Sequence, residues 1–491
     1  MSSNTGMHLV GGRQEFGTGS EFGSFDPRTG DPSPRRFREA GPDQVDRAVE
    51  AAAAWVSRKG YGTVQERIAL LDGIADALDA AESEIVSVAD RESGLGENRL
   101  SGELGRTTGQ LRAFSAFLRT GDHEDRVEDL VFDGVKLVRS VVPIGVVAVF
   151  EASNFPLAFA TMGGDTASAL AAGCPVVIKA HPDHPETSEL VGNLAAEVVS
   201  SMDLDGILSV LHGPSIELGS TIVESPAVAA VGFTGSVPGG RALMDLAARR
   251  PVPIPVYAEM GSVNPLVVTP AAAESRAEEI AEGYVGSLLL GAGQFCTNPG
   301  LLFVPDGDAG ERLIEKVGDR VRSSGDHVLL DQRIAARYEE GCRTLTSRGE
   351  VLAESLADGP GYRVRAVLVE MKPPLEDIEE VFGPAGVVVR YSSSEELIRL
   401  LEGVPGALAA AIHAEEDEPE SADLIDVLAM RVGRIVWNGY PTGVAVSPAM
   451  MHGGPYPSAS DPLHTSVGLA AMRRFQRPIA FQGVPDAYTS I

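Results

Sequence analysis

The sequence predicts an α/β protein built on a parallel sheet covered by helices. Three observations carry that reading. Between Pro143 and Glu259, short apolar runs rich in Val and Ile alternate with amphipathic stretches, and strand, helix, strand repeated this way gives parallel strands with helical crossovers. The 491 residues suffice for two large domains or about three smaller ones, each with its own core. With 44% hydrophobic and 22% charged residues, the composition is that of an ordinary globular chain, and Gly plus Pro stay below the roughly 25–30% of low-complexity sequence.

Taken in order, residues 1–35 are rich in Gly, Ser, Phe and Pro, with turn signals at Asp26-Pro27 and Thr29-Gly30. Apolar residues interleave with them, so the segment reads as short strands or an extended arm. From residue 42 to about 118 the pattern is helical: Val45, Ala48, Val49, Ala52 and Ala53 share one face, and Ile68, Leu71, Ile74, Ala75 and Leu78 another. The expected strands then fall at Val146–Phe150, 175–179, 207–211, 227–233 and 254–258, with a helical stripe at Leu190, Val191, Leu194, Ala195, Val198 and Val199 between them. A second alternating region runs from Ser262 to about Ile435 and includes the solvated acidic stretch Glu415-Glu416-Asp417-Glu418. Residues 453–491 are rich in turns and end in a strand-like piece at 478–481. There is no internal repeat.

Charge and cysteine usage exclude several classes. A formal net charge of −29 argues against a nucleic acid or anionic lipid partner, which normally requires a basic face. Three cysteines, Cys174, Cys296 and Cys342, are too few for a disulfide framework, and the odd number fits a reducing compartment. The opening MSSNTGMHLVGG has no basic segment followed by an apolar one. No run approaches the roughly 18 apolar residues of a membrane span, the longest being cut by Asp165. The expectation is a soluble cytoplasmic protein.

Three strings carry chemistry. In Gly291-Ala-Gly-Gln-Phe-Cys296-Thr-Asn298, glycines before a cysteine let the backbone approach a ligand and leave amide N–H groups free for an oxyanion. The plainer alternative is a buried structural thiol, the role expected for Cys174 and Cys342. Phe150-Glu-Ala-Ser-Asn154-Phe-Pro156 follows a strand, so Asn154 sits at the carboxyl edge where ligands bind such sheets. Tyr257-Ala-Glu259-Met-Gly261 brings a carboxylate to the same edge. An isolated Asn or Glu is usually solvated or capping, but thiol, amide and carboxylate together supply a nucleophile, an oxyanion donor and a general base.

With Phe233-Thr-Gly-Ser236 and Glu380-Val-Phe382-Gly-Pro384, these strings resemble the signature motifs of the aldehyde dehydrogenase superfamily, in the family's order and over nearly the whole chain. The tail, Asn438-Gly-Tyr-Pro-Thr-Gly and His452-Gly-Gly-Pro-Tyr-Pro457, departs from the commoner ending. It resembles the branch containing α-ketoglutaric semialdehyde (2,5-dioxovalerate) dehydrogenases, as do Lys179-Ala-His181-Pro and Arg106-Thr-Thr-Gly-Gln-Leu-Arg112.

The resemblance implies an aldehyde dehydrogenase-like fold. A Rossmann-type cofactor domain would span 1–127 and 144–258, an α/β catalytic domain 259–448, and bridging or oligomerisation segments 128–143 and 449–491. It implies that Cys296 attacks the aldehyde, that Asn154 and the Cys296 backbone N–H hold the alkoxide, and that Glu259 activates water against the thioester. Cofactor residues carried over are Lys179, His181, Gly235, Ser236, Gly261, Glu380 and Phe382. Gly235 and Ser236 precede a helix whose first N–H groups can receive pyrophosphate. Where many NAD-preferring relatives have a glutamate three positions after the lysine, this chain has Pro182, so NADP is expected to be accepted and preferred over NAD.

For the substrate, Arg106 matches the helix lining the family's tunnel and would pair with a distal carboxylate, pointing to 2,5-dioxopentanoate. Phe159, with Phe155 and Met162, would instead line an apolar tunnel for medium or long aldehydes, the alternative reading. A non-catalytic oligomeric protein of this fold is the rival from another class, and CoA-acylating relatives typically lack the glutamate found at Glu259. His181-Pro-Asp183-His184 lacks a further ligand cluster, and no metal is expected. An exposed bridging strand favours a homodimer or homotetramer.

Overall fold

The computed structural model describes residues 4–132, 134–374 and 378–489. The outermost positions of the expected terminal segments (1–3 and 490–491) lie outside the described residues, as does Asp133 within 128–143.

The Val/Ile runs form a seven-stranded sheet in the order Val256–Met260, Val228–Gly235, Val146–Phe150, Val176–Lys179, Leu208–Leu211, His8–Val10 and Arg13–Glu15. The first five strands are parallel, and the N-terminal arm adds its two strands antiparallel. Every residue of Val146–Phe150 and Leu208–Leu211 is buried, as expected where helices cover both faces of a parallel sheet.

Two strands run further than their apolar patterns. Thr234 pairs with Glu259 and Gly235 with Met260, beyond the 227–233 and 254–258 spans expected from hydrophobicity. The backbone ladder continues through residues whose side chains are polar or absent, and this sets Glu259 on a strand.

The helical stretch resolves into Pro42–Lys59, Val64–Ala80, Glu82–Ser93 and Glu97–Thr120. Breaks fall where capping chemistry stands. Gly60 and Gly94 close helices in the left-handed region, and Thr63 with Glu66 forms a reciprocal capping box.

The region after Ser262 makes a second seven-stranded sheet. Its order is Glu350–Glu354, Val367–Glu370, Ala385–Tyr391, Leu301–Pro305, Pro265–Val268, Ala407–His413 and Val432–Trp437, all parallel except the first. A third, antiparallel sheet joins Gln476–Gln482 to Val135–Pro143 and Val127–Val131.

Val256–Met260 ends the first sheet, and an open edge there would invite pairing with another chain. The returning C-terminal segment covers it. Met260 N–H donates to the Ser458 carbonyl at 2.8 Å, Ser460 N–H to the Ala258 carbonyl at 2.9 Å, and Glu259 bridges Ala459. That return carries residues 452–466 to the same edge as Glu259. Among the described residues, no helix is long and apolar enough to cross a membrane.

Candidate active site

Cys296 sits on a loop after the helix Pro270–Leu289. Gly291, Ala292 and Gly293 all have left-handed backbones, with φ of 58°, 58° and 72°. A side chain at Gly293 would also run into the backbone of Gly383 and Pro384, so glycine is required there by both conformation and close approach.

Amide side chains tie the loop down. Gln294 donates to the Gly291 carbonyl at 3.1 Å and accepts from Leu330 N–H at 3.0 Å. Asn298 donates to the carbonyls of Leu288 and Gly293 at 2.9 and 3.0 Å. Fully buried Asn264 donates to the carbonyls of Cys296 and Asn298, both at 2.9 Å, and accepts from Ala409 N–H at 3.0 Å. Sequence reasoning passed over Asn264, although it follows Glu259 by five residues.

The Cys296 sulfur lies 3.5 Å from His452 Nε2, which lies 3.2 Å from Glu259 Oε2. One ligating atom from each of the three residues falls within 4.8 Å of the other two. The His452 and Glu259 side chains are only 1% and 3% exposed. His452 is fixed through its backbone, its N–H donating to Thr465 Oγ1 at 2.9 Å and its carbonyl accepting from Ser466 N–H at 2.8 Å. The histidine belongs to the tail motif but received no role from sequence, because no spacing relates it to residue 296.

Burial and the carboxylates of Glu259 and Glu380 push the Cys296 thiol well above the ordinary cysteine range. At neutral pH it keeps its proton, so reactivity requires an acceptor close by. Cys174 and Cys342 are buried core thiols, each pushed up to about 11 by burial.

Asn154 is buried, and its side-chain amide donates to the Gln294 carbonyl at 3.0 Å, two residues before the thiol. Its own carbonyl accepts from Arg99 at 2.8 Å, and the Arg99 guanidinium packs against the rings of both Phe155 and Phe295, 5.1 Å from each centre. Arg99, Glu103 and Arg106 share one face of Glu97–Thr120 by spacing. Glu103 accepts from Leu157 and Ala158 N–H at 2.8 and 2.9 Å and so fixes the turn after Asn154.

The Arg106 guanidinium covers the Phe159 ring at 5.1 Å, and that ring lies 6.3 Å from His452. Arg106 donates to the Val444 carbonyl at 3.3 Å. From the other side Arg434, which sequence reasoning did not single out, donates to the carbonyls of Gly443 (2.9 Å) and Pro441. Two cations thus grip one loop, and burial lowers both guanidinium groups from the usual arginine range. Phe155 packs edge-on against Phe159 and Phe295. Met162 is 1% exposed and belongs to the core, not to a tunnel wall.

At the carboxyl edge of the first sheet, Ser236 follows Gly235 and caps the helix Val237–Arg249, its Oγ accepting from Gly239 N–H at 3.3 Å. Lys179 ends its strand, and burial pulls its ammonium down to about 8. His181 stacks on His184 with ring centres 5.5 Å apart, and burial takes its imidazole well below the usual range, so it is neutral. His184 is committed to the Ala152 carbonyl at 2.9 Å and to Ser188 at 3.2 Å. Burial and the neighbouring Asp331 raise the Asp183 carboxyl, while Arg333 reaches Asp183 and Asp331 at 2.8 and 2.7 Å.

Glu380 and Phe382 line a cleft with Ser262, Gly293 and Asn298. A Cβ on Gly261 would fall on the Glu380 carboxyl, which burial, then Glu259, pushes up to about 8. Glu380 Oε1 is buried without a partner. An unsatisfied acceptor in the cleft at Glu380 and the helix start at Ser236 would suit a dinucleotide, with Glu380 available to accept from hydroxyls and the helix N–H groups to receive phosphate.

The model of the aldehyde dehydrogenase family matches residues 17–475. The chain is 41% identical to alpha-ketoglutaric semialdehyde dehydrogenase 2 of Azospirillum brasilense, covering 98% of this chain and 95% of that one. It is 38% identical to alpha-ketoglutaric semialdehyde dehydrogenase of Acinetobacter baylyi, covering 98% and 94%. Among solved structures, a 3,6-anhydro-L-galactose dehydrogenase in complex with NAP shares the fold, with a TM-score of 0.85 at 20% identity over 97% of this chain and 99% of that one. With nearly its whole length matched, the chain belongs to the aldehyde dehydrogenase family, whose members are NAD(P)-dependent enzymes of aldehyde oxidation.

Proposed function

We propose that the enzyme oxidises 2,5-dioxopentanoate to 2-oxoglutarate through a thiohemiacetal and a thioester on Cys296. The observation that carries this reading is the convergence of Cys296, His452 and Glu259 within 4.8 Å, on a loop that Asn154 also grips. His452 takes the thiol proton, and the Glu259 carboxylate beside it stabilises the imidazolium. The thiolate adds to the aldehyde carbon, and the resulting alkoxide is held by the Cys296 N–H and the Asn154 amide. Bound NAD(P) supplies the hydride acceptor that turns this adduct into the thioester. Glu259 then draws a proton from water as it attacks the thioester; the acid leaves, and the expelled thiolate regains its proton from the His452 imidazolium.

Two features support the keto-acid substrate. The similar curated enzymes carry that substrate in their names, and Arg106 and Arg434 set positive charge beside the thiol where a distal carboxylate would lie. The Phe155 and Phe159 rings favour the second reading, a medium or long apolar aldehyde.

For the cofactor, position 182 is Pro and sets no carboxylate against a 2′-phosphate, while Asp183 is engaged by Arg333 at 2.8 Å. With His181 neutral, attraction falls to Lys179 and Arg333, and NADP is preferred over NAD. We assign residues 1–127 and 144–258 to cofactor binding, 259–448 to catalysis, and 128–143 with 449–491 to bridging and self-association as a homodimer or homotetramer. Reduced thiols suit a cytoplasmic setting.

One panel tests these assignments: glycolaldehyde to decanal plus 2,5-dioxopentanoate, each with NAD and with NADP. The highest kcat/KM is expected for 2,5-dioxopentanoate with NADP. A maximum at decanal would establish the second reading, and a higher value with NAD would reverse the cofactor assignment.

A further inference from the structure

The grouping of Cys296, His452 and Glu259 has the shape of a tetrahedral metal site. Zinc bound by sulfur at about 2.3 Å, nitrogen at about 2.0–2.1 Å and carboxylate oxygen at about 2.0–2.2 Å requires ligand separations of roughly 3.6 Å from S to N and 3.4 Å from N to O at tetrahedral angles. The separations here are 3.5 Å from Cys296 Sγ to His452 Nε2 and 3.2 Å from His452 Nε2 to Glu259 Oε2. The third, between sulfur and carboxylate, is within 4.8 Å.

A second observation points the same way. Both carboxylate oxygens of Glu259 are buried and lack a hydrogen-bond partner, although one lies near His452. A buried acceptor left without a donor is what a cation relieves. Thiolate, imidazole and carboxylate together select a borderline-soft divalent ion, not magnesium or calcium, which take oxygen ligands.

We propose that these three residues form an inhibitory zinc site in the resting enzyme, with water as the fourth ligand. On binding, the Cys296 thiol gives its proton to solvent as the sulfur–zinc bond forms, and nothing is oxidised or reduced. The metal occupies the sulfur lone pair, the imidazole nitrogen and the carboxylate together, so the nucleophile and both proton acceptors are withdrawn at once. Only the effect on turnover rests on the roles proposed above, and the binding itself does not.

The test is titration of the metal-stripped full-length enzyme with cobalt(II), then zinc. One equivalent of cobalt is expected to give a near-ultraviolet thiolate charge-transfer band and the visible bands of tetrahedral cobalt, which zinc abolishes. Zinc, but not magnesium, should shield Cys296 from iodoacetamide in peptide mapping. The charge-transfer band should vanish in Cys296→Ser, and His452→Ala, which removes a direct ligand, should weaken cobalt binding by more than the roughly 10–100-fold lost with an outer-shell partner. Absence of the band with alkylation unchanged by zinc in the wild-type enzyme overturns the site, as does a band that survives in Cys296→Ser. If the band appears as expected but turnover continues with the metal bound, the site stands and the catalytic role of Cys296 falls.

Discussion

Cys296 and His452 are 156 residues apart in sequence and 3.5 Å apart at sulfur and nitrogen, and much of the proposed chemistry depends on that meeting. Because carboxylates and burial raise the thiol, loss of the imidazole leaves thiolate only as pH rises toward the thiol's own elevated range. His452→Gln should lower kcat/KM at neutral pH by about 10²–10⁴, and its rate should keep climbing with pH beyond the wild-type plateau. A variant with unchanged rate and profile would remove His452 from proton transfer.

Under the proposed function, Arg106 is the residue assigned to discriminate between substrates. Arg106→Leu should raise KM for 2,5-dioxopentanoate by about 10-fold or more, a charge-assisted hydrogen bond contributing roughly 1.5–3 kcal/mol, while KM for hexanal stays nearly unchanged. Equal effects on both would assign the arginine to holding the loop at Val444 alone. Cys296, Asn154 and Glu259 stood out in the sequence because each lies in a glycine-rich or strand-end string. His452, Asn264 and Arg434 did not, because a lone polar residue gains meaning only from chain segments that folding brings beside it.

At the scale of elements, the parallel strands were legible because buried strands read as continuous Val/Ile runs, and the extensions through Thr234 and Glu259 were not, because hydrophobicity ends before the ladder does. The turn before Cys296 shows the opposite balance. Its glycines are plain in sequence, but the reason for Gly293 is the backbone of a distant loop at Gly383. Gly293→Ala should therefore lower the thermal unfolding midpoint and depress activity by displacing the cysteine loop from the Glu380–Phe382 cleft. The left-handed conformation alone costs about 1–2 kcal/mol for a residue with a Cβ, and the collision adds to it. Wild-type stability and activity in this variant would mean that the two loops separate freely.

Across the whole molecule, the C-terminal segment links the parts. It covers the open edge of the first sheet at Ala258 and Met260, presents His452 to the site, and ends as a strand against Val135–Pro143. Val127–Val131 remains an outer strand, with Leu130 and Phe132 69% and 77% exposed, which favours self-association there. If the proposed self-association uses this edge, replacing both side chains with lysine should reduce the mass seen by light scattering; an unchanged mass would remove this edge from it.

The most direct measurement of the central claim is mass spectrometry of the Glu259→Gln enzyme quenched after mixing with 2,5-dioxopentanoate and NADP. Slowed hydrolysis should leave one acyl group per chain, mapped to the peptide containing Cys296, in step with a stoichiometric burst of NADPH. A burst of NADPH without acylation of Cys296, or an acyl group on Cys174 or Cys342, would contradict it.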